Sequence, residues 1–484
     1  MKFQPLTCVW EITMGCNMRC KHCGSSCAEP LPDELTTEEA FSFIDQCADI
    51  GLKWITLSGG EPLTRKDVVQ LVERLSSHGI TVNIITNGWL MNEEMVHNLK
   101  AAGIKTVAIS IDGTREIHNS IRREASYEHA EKSFQLLKQA GITAGAVTTI
   151  SKQNIANLPV LKEELIRMGL DSWQLQIGLP MGNFSERPEW LIEPAQVDDI
   201  IEFCYQTAIE NRIKIFPADC IGYYNRKELK ARQISFRNPE LPLWDGCNAG
   251  IRSFGILHNG DILGCTSIRA KEFVEGNIRE RPLRTIWEDE TKFLWRRNLT
   301  KKDLSNECGK CIYGNKCLGG CPNTRLTIHK SIYAENDYCS YHLHLKSLRT
   351  TLSALDNVDL LWEKADNYFA LKAYQETAYT LDRLLQLTPN HLDGLKLKGY
   401  VEYMCSNYEL SEQSNRMALS IQPNDVYAWK GLGISLHKQG KSMEGITCLE
   451  KAAQLSNYSD EDVLSDLKIV QKEMQTSQIA ATLQ

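Results

Sequence analysis

Three cysteines fall within eight residues in the stretch "GCNMRCKHC": Cys16, Cys20 and Cys23. A structural metal site wants four protein ligands. Cys27 follows closely and could complete a zinc knuckle. Three thiolates alone suit another chemistry. They can hold a four-iron cluster at three corners and leave the fourth iron free for a further ligand.

A second chemical motif follows in "LSGGEP". Gly59 and Gly60 lack side chains, so the backbone there can approach another group closely. Glu61 adds a carboxylate suited to a ligand's ammonium group, and Pro62 closes the run. Alone, Gly-Gly-Glu-Pro also reads as an ordinary strand-to-helix turn. Seven more cysteines come later. Cys247 is followed by twelve residues, Gly260, four residues and Cys265; then come Cys308-x2-Cys311-x5-Cys317-x3-Cys321, and finally Cys339. Two zinc ribbons are the plain reading of that set.

The elements that must position these residues are legible as β/α alternation. Strand candidates are "CVWEIT", "WITLSGG", "TVNIITNG", "TVAISIDG", "ITAGAVTTIS" and "SWQLQIGLP", with amphipathic segments between them. Gly51, Gly79, Gly103, Gly141 and Gly169 end five of those segments, where a left-handed helix cap is needed. Six such units predict a parallel sheet, open or a partial (β/α)6 barrel, with the chemistry at the C-terminal strand ends. The first three cysteines follow the first strand, and GGEP ends the second.

The 484-residue chain divides on this reading into a core (1–215), a linker (216–246), a cysteine-rich domain (247–350) and a helical region (355–484). In the last, Pro389 and Pro423 stand thirty-four residues apart, and Asn457 follows at the same interval. With Trp429, Leu432, Gly433 and Ala452, this spacing predicts a short solenoid of tetratricopeptide-like repeats. A net charge of −7 gives no reason to expect nucleic acid or an anionic membrane as partner. No signal peptide and no membrane span are visible. Seventeen cysteines, an odd count without export signals, argue against a disulfide framework and for metal chemistry in the cytoplasm.

Taken together, C-x3-C-x2-C and GGEP on successive strand ends resemble the radical S-adenosylmethionine (radical SAM) enzymes, over roughly residues 8 to 180. The resemblance implies a [4Fe-4S] cluster on Cys16, Cys20 and Cys23, with S-adenosylmethionine on the open iron. It implies that Gly59, Gly60 and Glu61 bind the amino group and that His22 packs near adenine. Thr86, Ser110 and Asp112 would touch the cofactor's polar parts, although such residues are also common at strand ends and turns. The later cysteine order is similar to that of the SPASM domain, which carries auxiliary clusters. That implies one cluster on Cys308, Cys311, Cys317 and Cys339, and another on Cys247, Cys265 and Cys321. The latter lacks an assigned fourth cysteine: an open iron, a non-cysteine ligand and Cys220 are all compatible.

Three [4Fe-4S] clusters and an electron donor such as flavodoxin or ferredoxin follow from the resemblance. The expected substrate is a ribosomally made precursor peptide, gripped by the C-terminal repeats and cross-linked or oxidised on a side chain. The alternatives are a folded protein, a tetrapyrrole or another small molecule, and, from another class, a non-catalytic scaffold or electron carrier. Cys8, Cys47, Cys204, Cys405 and Cys448 read as core thiols and Cys27 as a spectator. "IRRE", residues 121–124, reads as a solvated face in which Arg122 or Arg123 could meet a cofactor carboxylate. No general base is identifiable from spacing.

Overall fold

A computed structural model describes residues 3–242 and 244–482, with side chains described through residue 476. All six strand candidates form: β1 (Thr7–Glu11), β2 (Trp54–Ser58), β3 (Thr81–Thr86), β4 (Thr106–Ser110), β5 (Thr143–Ile150) and β6 (Ser172–Ile177). A seventh, β7 (Lys214–Pro217), is too short to show a period in the sequence. The cysteine-rich region adds β8 (Ser253–Ile256), β9 (Asp261–Leu263) and β10 (Val274–Asn277). The sheet runs β10-β9-β8-β1-β2-β3-β4-β5-β6-β7. From β8 through β7 every neighbour pair is parallel, whereas β8, β9 and β10 form an antiparallel meander. The order has two edges, so the sheet is not a closed barrel.

Helices α1 (Thr37–Asp49), α2 (Val68–Ser77), α3 (Glu93–Ala101), α4 (Arg115–Ile121), α5 (Ser126–Ala140) and α6 (Leu158–Met168) connect the strands. The five predicted cap glycines have φ between +71° and +91°. Helices α7 (Gln196–Glu210) and α8 (Arg226–Ser235) flank β7. Strand alternation sorts the side chains. Ile55, Leu57, Val82, Ile84, Val107 and Ile109 are fully buried on one face. Thr56, Ser58, Asn83 and Ser110 lie half-buried on the other. The chemistry therefore has a polar face to work on, backed by an apolar layer. In the meander, Gly260 turns the chain between β8 and β9 with φ of +88°, which accounts for the glycine between Cys247 and Cys265.

The chain packs as two compact units, Met1–Gly309 with Asn315–Leu343, and Lys310–Gly314 with His344–Gln484. The pairing of β1 with β8 makes the cysteine-rich region continuous with the core sheet. The second unit is all helix beyond Ser340. Val358, Leu392 and Val426 begin alternate helices, and Tyr374, Tyr408 and Ser442 begin those between, at thirty-four-residue intervals. The caps recur as well: Asn357, His391 and Asp425 each accept a hydrogen bond from the backbone three residues on. Gly433 lets two helices meet, since a Cβ there would lie 2.8 Å from the Gly445 carbonyl oxygen. Among the described residues no helix is long and apolar enough to cross a membrane.

Candidate active site

The loop bearing Cys16, Cys20 and Cys23 leaves the C-terminal end of β1 and is fastened by its backbone. Glu61 N–H donates to the Gly15 carbonyl at 2.8 Å, and Gly60 N–H to that of Thr13 at 2.7 Å. Lys21 N–H donates to Ile121 at 2.9 Å. Beyond β6, Asn183 donates from its backbone to Cys23 O at 2.9 Å and from its side chain to Cys20 O at 3.0 Å. Glu34 accepts from the Met14 amide at 2.7 Å. None of these bonds uses a thiol, so the cysteines remain available.

The GGEP run has a structural role that its sequence does not reveal. A Cβ on Gly59 would lie 2.3 Å from the Thr13 carbonyl oxygen, and one on Gly60 2.2 Å from that of Gly15. The space left by the missing side chains is taken by the cysteine loop itself. Glu61 is buried, and its carboxylate accepts from Leu63 N–H (3.1 Å), Thr86 Oγ1 (2.6 Å) and Asn87 N–H (2.7 Å). Burial pushes this carboxyl above its usual range, against those donors. Glu61 thus ties the end of β2 to the end of β3, and Thr86 spends its hydroxyl there. Pro62 is buried and opens a single helical turn that Glu61 caps.

Asp112 is likewise an internal anchor. It is fully buried, 3.0 Å from His22 Nε2 and 2.5 Å from Arg122 Nε, and accepts from Thr149 N–H at 3.0 Å. Burial opposes its ionisation, but Arg122 and His22 outweigh it and hold the carboxyl well below its usual range. The expectation for "IRRE" is corrected at one residue. Arg122 is drawn inside by the buried carboxylate, and its Nη1 lies 3.9 Å from Cys20 Sγ. Arg123 stays outside, donates to Asn17 O at 2.9 Å and lies 4.0 Å over the Trp89 ring. Ser110 ends β4 half-buried.

Cys27 is buried, and its thiol lies 3.9 Å from Met14 Sδ; its interaction with the Cys23 sulfur lowers Cys23 and raises Cys27. Burial pushes Cys20 up to about 11 despite Arg122. Metal binding must therefore displace a proton from Cys20 at neutral pH. Glu11, at the end of β1, pairs with Arg269, which also donates to Ser25 Oγ in the cysteine loop. Burial outweighs Arg269 and pushes Glu11 up to about 7. Glu11, Arg269 and Asn87 carry no motif; their place in the site is visible only in three dimensions.

Orphaned polar atoms indicate what the site accommodates. His22 Nδ1 and Asn17 Nδ2, in the cysteine loop, are buried without a partner. Buried Arg325 leaves Nε and Nη1 unpartnered, beside Cys308, Cys321 and Cys317. The Asn17 and Arg325 donors, buried beside thiols, fit an acceptor-rich group such as the sulfides of a cluster. Among the described residues no three His, Cys, Asp or Glu side chains close to the spacing of a single metal ion. The core thiols Cys8, Cys47, Cys204, Cys405 and Cys448 are buried as expected. Cys317 is buried too, while Cys247, Cys265, Cys308, Cys311, Cys321 and Cys339 are partly accessible. Cys311 lies in the short segment that packs with the helical unit.

Known proteins share these features. Residues 10–166 match the radical SAM superfamily, and residues 247–312 match SPASM, the iron–sulfur cluster-binding domain. An AdoMet-dependent heme synthase of Methanosarcina barkeri is 32% identical over 346 residues, 70% of this chain and 97% of that protein. The mycofactocin maturase MftC of Mycobacterium tuberculosis is 26% identical over 66% of this chain and 78% of its own length. Among solved structures, Streptococcus suis SuiB bound to S-adenosylmethionine superposes with a TM-score of 0.55 at 20% identity, covering 69% of this chain and 76% of SuiB. AdoMet- and peptide-bound anSMEcpe superposes at 0.54 and 18% identity, covering 69% of this chain and 93% of that one. With the three-cysteine loop locked to GGEP at the C-terminal end of a parallel sheet, the chain belongs to the radical SAM superfamily and is an enzyme that uses S-adenosylmethionine and [4Fe-4S] chemistry, with a SPASM domain after its core.

Proposed function

We propose that this enzyme modifies a ribosomally made peptide, removing a side-chain hydrogen and leaving a carbon–carbon or thioether cross-link or an oxidised residue. When bound at the open iron and reduced by one electron from a flavodoxin or ferredoxin, S-adenosylmethionine would give methionine and a 5′-deoxyadenosyl radical that takes the hydrogen as 5′-deoxyadenosine, while the second electron would pass to an auxiliary cluster and its proton to solvent. Cys16, Cys20 and Cys23 hold its cluster. The backbone carbonyls of Gly59 and Gly60, the Ser110 hydroxyl, His22 Nδ1 and Asn17 Nδ2 are the groups left to meet the cofactor's polar parts. Glu61, Thr86 and Asp112 act mainly through their neighbours, by holding the loop and His22 in place. Cys308, Cys311, Cys317 and Cys339 hold one auxiliary cluster, and Cys247, Cys265 and Cys321 a second. Three complete clusters amount to about twelve irons per chain.

The observation that carries the substrate is the surface of the helical unit. More than half of the large apolar side chains exposed among the described residues lie there, including Leu371, Tyr400, Met417, Tyr427, Met443 and Tyr458. Such a concentration would suit a surface that meets a partner. Read as tetratricopeptide-like repeats, the thirty-four-residue helix pairs offer a surface for a leader peptide. Changing Leu371, Tyr400 and Met443 to serine is expected to weaken precursor binding about tenfold or more. Peptide-independent cleavage of S-adenosylmethionine should persist, since its groups all lie in the other unit. Fluorescence titration of a labelled precursor checks this; unchanged affinity would remove the peptide-holding role.

A second reading, a tetrapyrrole substrate, is favoured by the heme synthase, at 32% identity over nearly its whole length. Anaerobic turnover read by mass spectrometry separates the two. A mass change in a precursor peptide supports the first reading. A change in an iron porphyrin, with peptides untouched, supports the second.

A further inference from the structure

The set Cys247, Cys265 and Cys321 lacks a fourth cysteine, and "NPELPLWDG" just upstream contains none. The loop between β7 and α8 reaches the same place from elsewhere in the sequence. Its Tyr223 hydroxyl donates to Asp219 O at 2.6 Å and accepts from Cys321 N–H at 2.9 Å. Gly222 forms a parallel bridge with Cys339, and Ser340 N–H donates to Gly222 O at 3.1 Å. A Cβ on Gly320 would lie 2.6 Å from the Tyr223 ring, so that ring covers the residue before Cys321. The loop is pinned against both Cys321 and Cys339.

Cys220 lies in the middle of that loop, and its sulfur accepts from the Ile177 amide, at the end of β6, at 3.4 Å. Cys220 is partly accessible, as Cys247, Cys265 and Cys321 are, whereas the core thiols and Cys27 are buried. Such partial accessibility fits a thiol that lines a space rather than one that fills a core.

We propose that Cys220 is the fourth protein ligand of the auxiliary cluster held by Cys247, Cys265 and Cys321. The proposal rests on the assignment of those three cysteines to a cluster. With four thiolates the cluster has no open iron and takes no substrate ligand, which leaves it electron transfer rather than Lewis-acid chemistry. Its fourth ligand would also fasten the cluster to the last strands of the sheet, through the Ile177 amide. Asp219 is the competing ligand on the same loop, a neighbour of both Cys220 and Cys321.

The test uses full-length protein with Cys16, Cys20 and Cys23 changed to alanine, so that only auxiliary iron is observed. Two clusters should give about eight irons per chain. Absence of iron for the second cluster would defeat the cluster assignment itself, independently of Cys220. In this background the electron paramagnetic resonance signals should not respond to cyanide. Adding Cys220→Ala should either remove about one iron per chain or give a signal that cyanide shifts, with the thermal melt and circular dichroism retained. Cys220→Ser should keep more iron than Cys220→Ala, because its oxygen can still bind; Cys204→Ala, a core change, should alter neither signal. Unchanged iron and a cyanide-insensitive signal in both Cys220 variants would overturn the proposal. So would a cyanide response already present with Cys220 intact, or the same loss produced by Asp219→Asn instead.

Discussion

Replacement of Cys16, Cys20 and Cys23 together by alanine is expected to reduce 5′-deoxyadenosine formation to background and to remove about four irons per chain, while the iron on the later cysteines remains. The reason is the separation of the ligand sets: none of the seven cysteines from Cys247 to Cys339 lies in the β1–α1 loop. The loop itself should survive, because Glu61, Lys21, Asn183 and Glu34 hold it by hydrogen bonds that involve no thiol. The fold, seen by circular dichroism, should therefore be retained with activity gone. Deoxyadenosine released at the parent rate would refute the assignment of the open iron to this loop. Loss of all iron would instead show that the ligand sets are not independent.

The second large effect concerns stability as well as catalysis. Asp112→Ala leaves the buried Arg122 guanidinium without its carboxylate and His22 without its Nε2 partner. Breaking a buried ion pair from one side costs about 3–5 kcal/mol. The double change Asp112→Ala with Arg122→Met should recover most of it, because no charge is then stranded. Anaerobic denaturant unfolding of parent, single and double variants measures the difference. The pH dependence has a definite sign. Asp112 is held below its ordinary 3.8, so its contribution is complete above about pH 4 and is lost as pH falls through the lower folded value. The deficit of Asp112→Ala should hence be constant from pH 6 to 8 as far as this group is concerned. Unchanged stability with only weaker S-adenosylmethionine binding would mean that Asp112 is a free cofactor contact after all.

The sequence by itself determined what local rules encode. A β-branched run bounded by glycine announces a strand and a helix end, and all six strand candidates and five cap glycines took those forms. Cysteine spacing within one loop, and a thirty-four-residue interval between helix pairs, are likewise short-range facts. Strand β7 escaped because four residues carry no period, and the joining of β8 to β1 because pairing partners far apart in sequence leave no local mark. Only the tertiary structure decided how side chains are spent. Glu61 reads as a free carboxylate until β3 arrives to fill it, and Arg122 reads as solvated until Asp112, ten residues back, draws it inside. Cys220 is remote from Cys247 in the chain, yet the Tyr223 hydroxyl and the Gly222 bridge bring its loop to Cys321 and Cys339. Motif spacing specifies which chemistry is possible; long-range hydrogen bonds and buried charge decide which residues remain free to perform it.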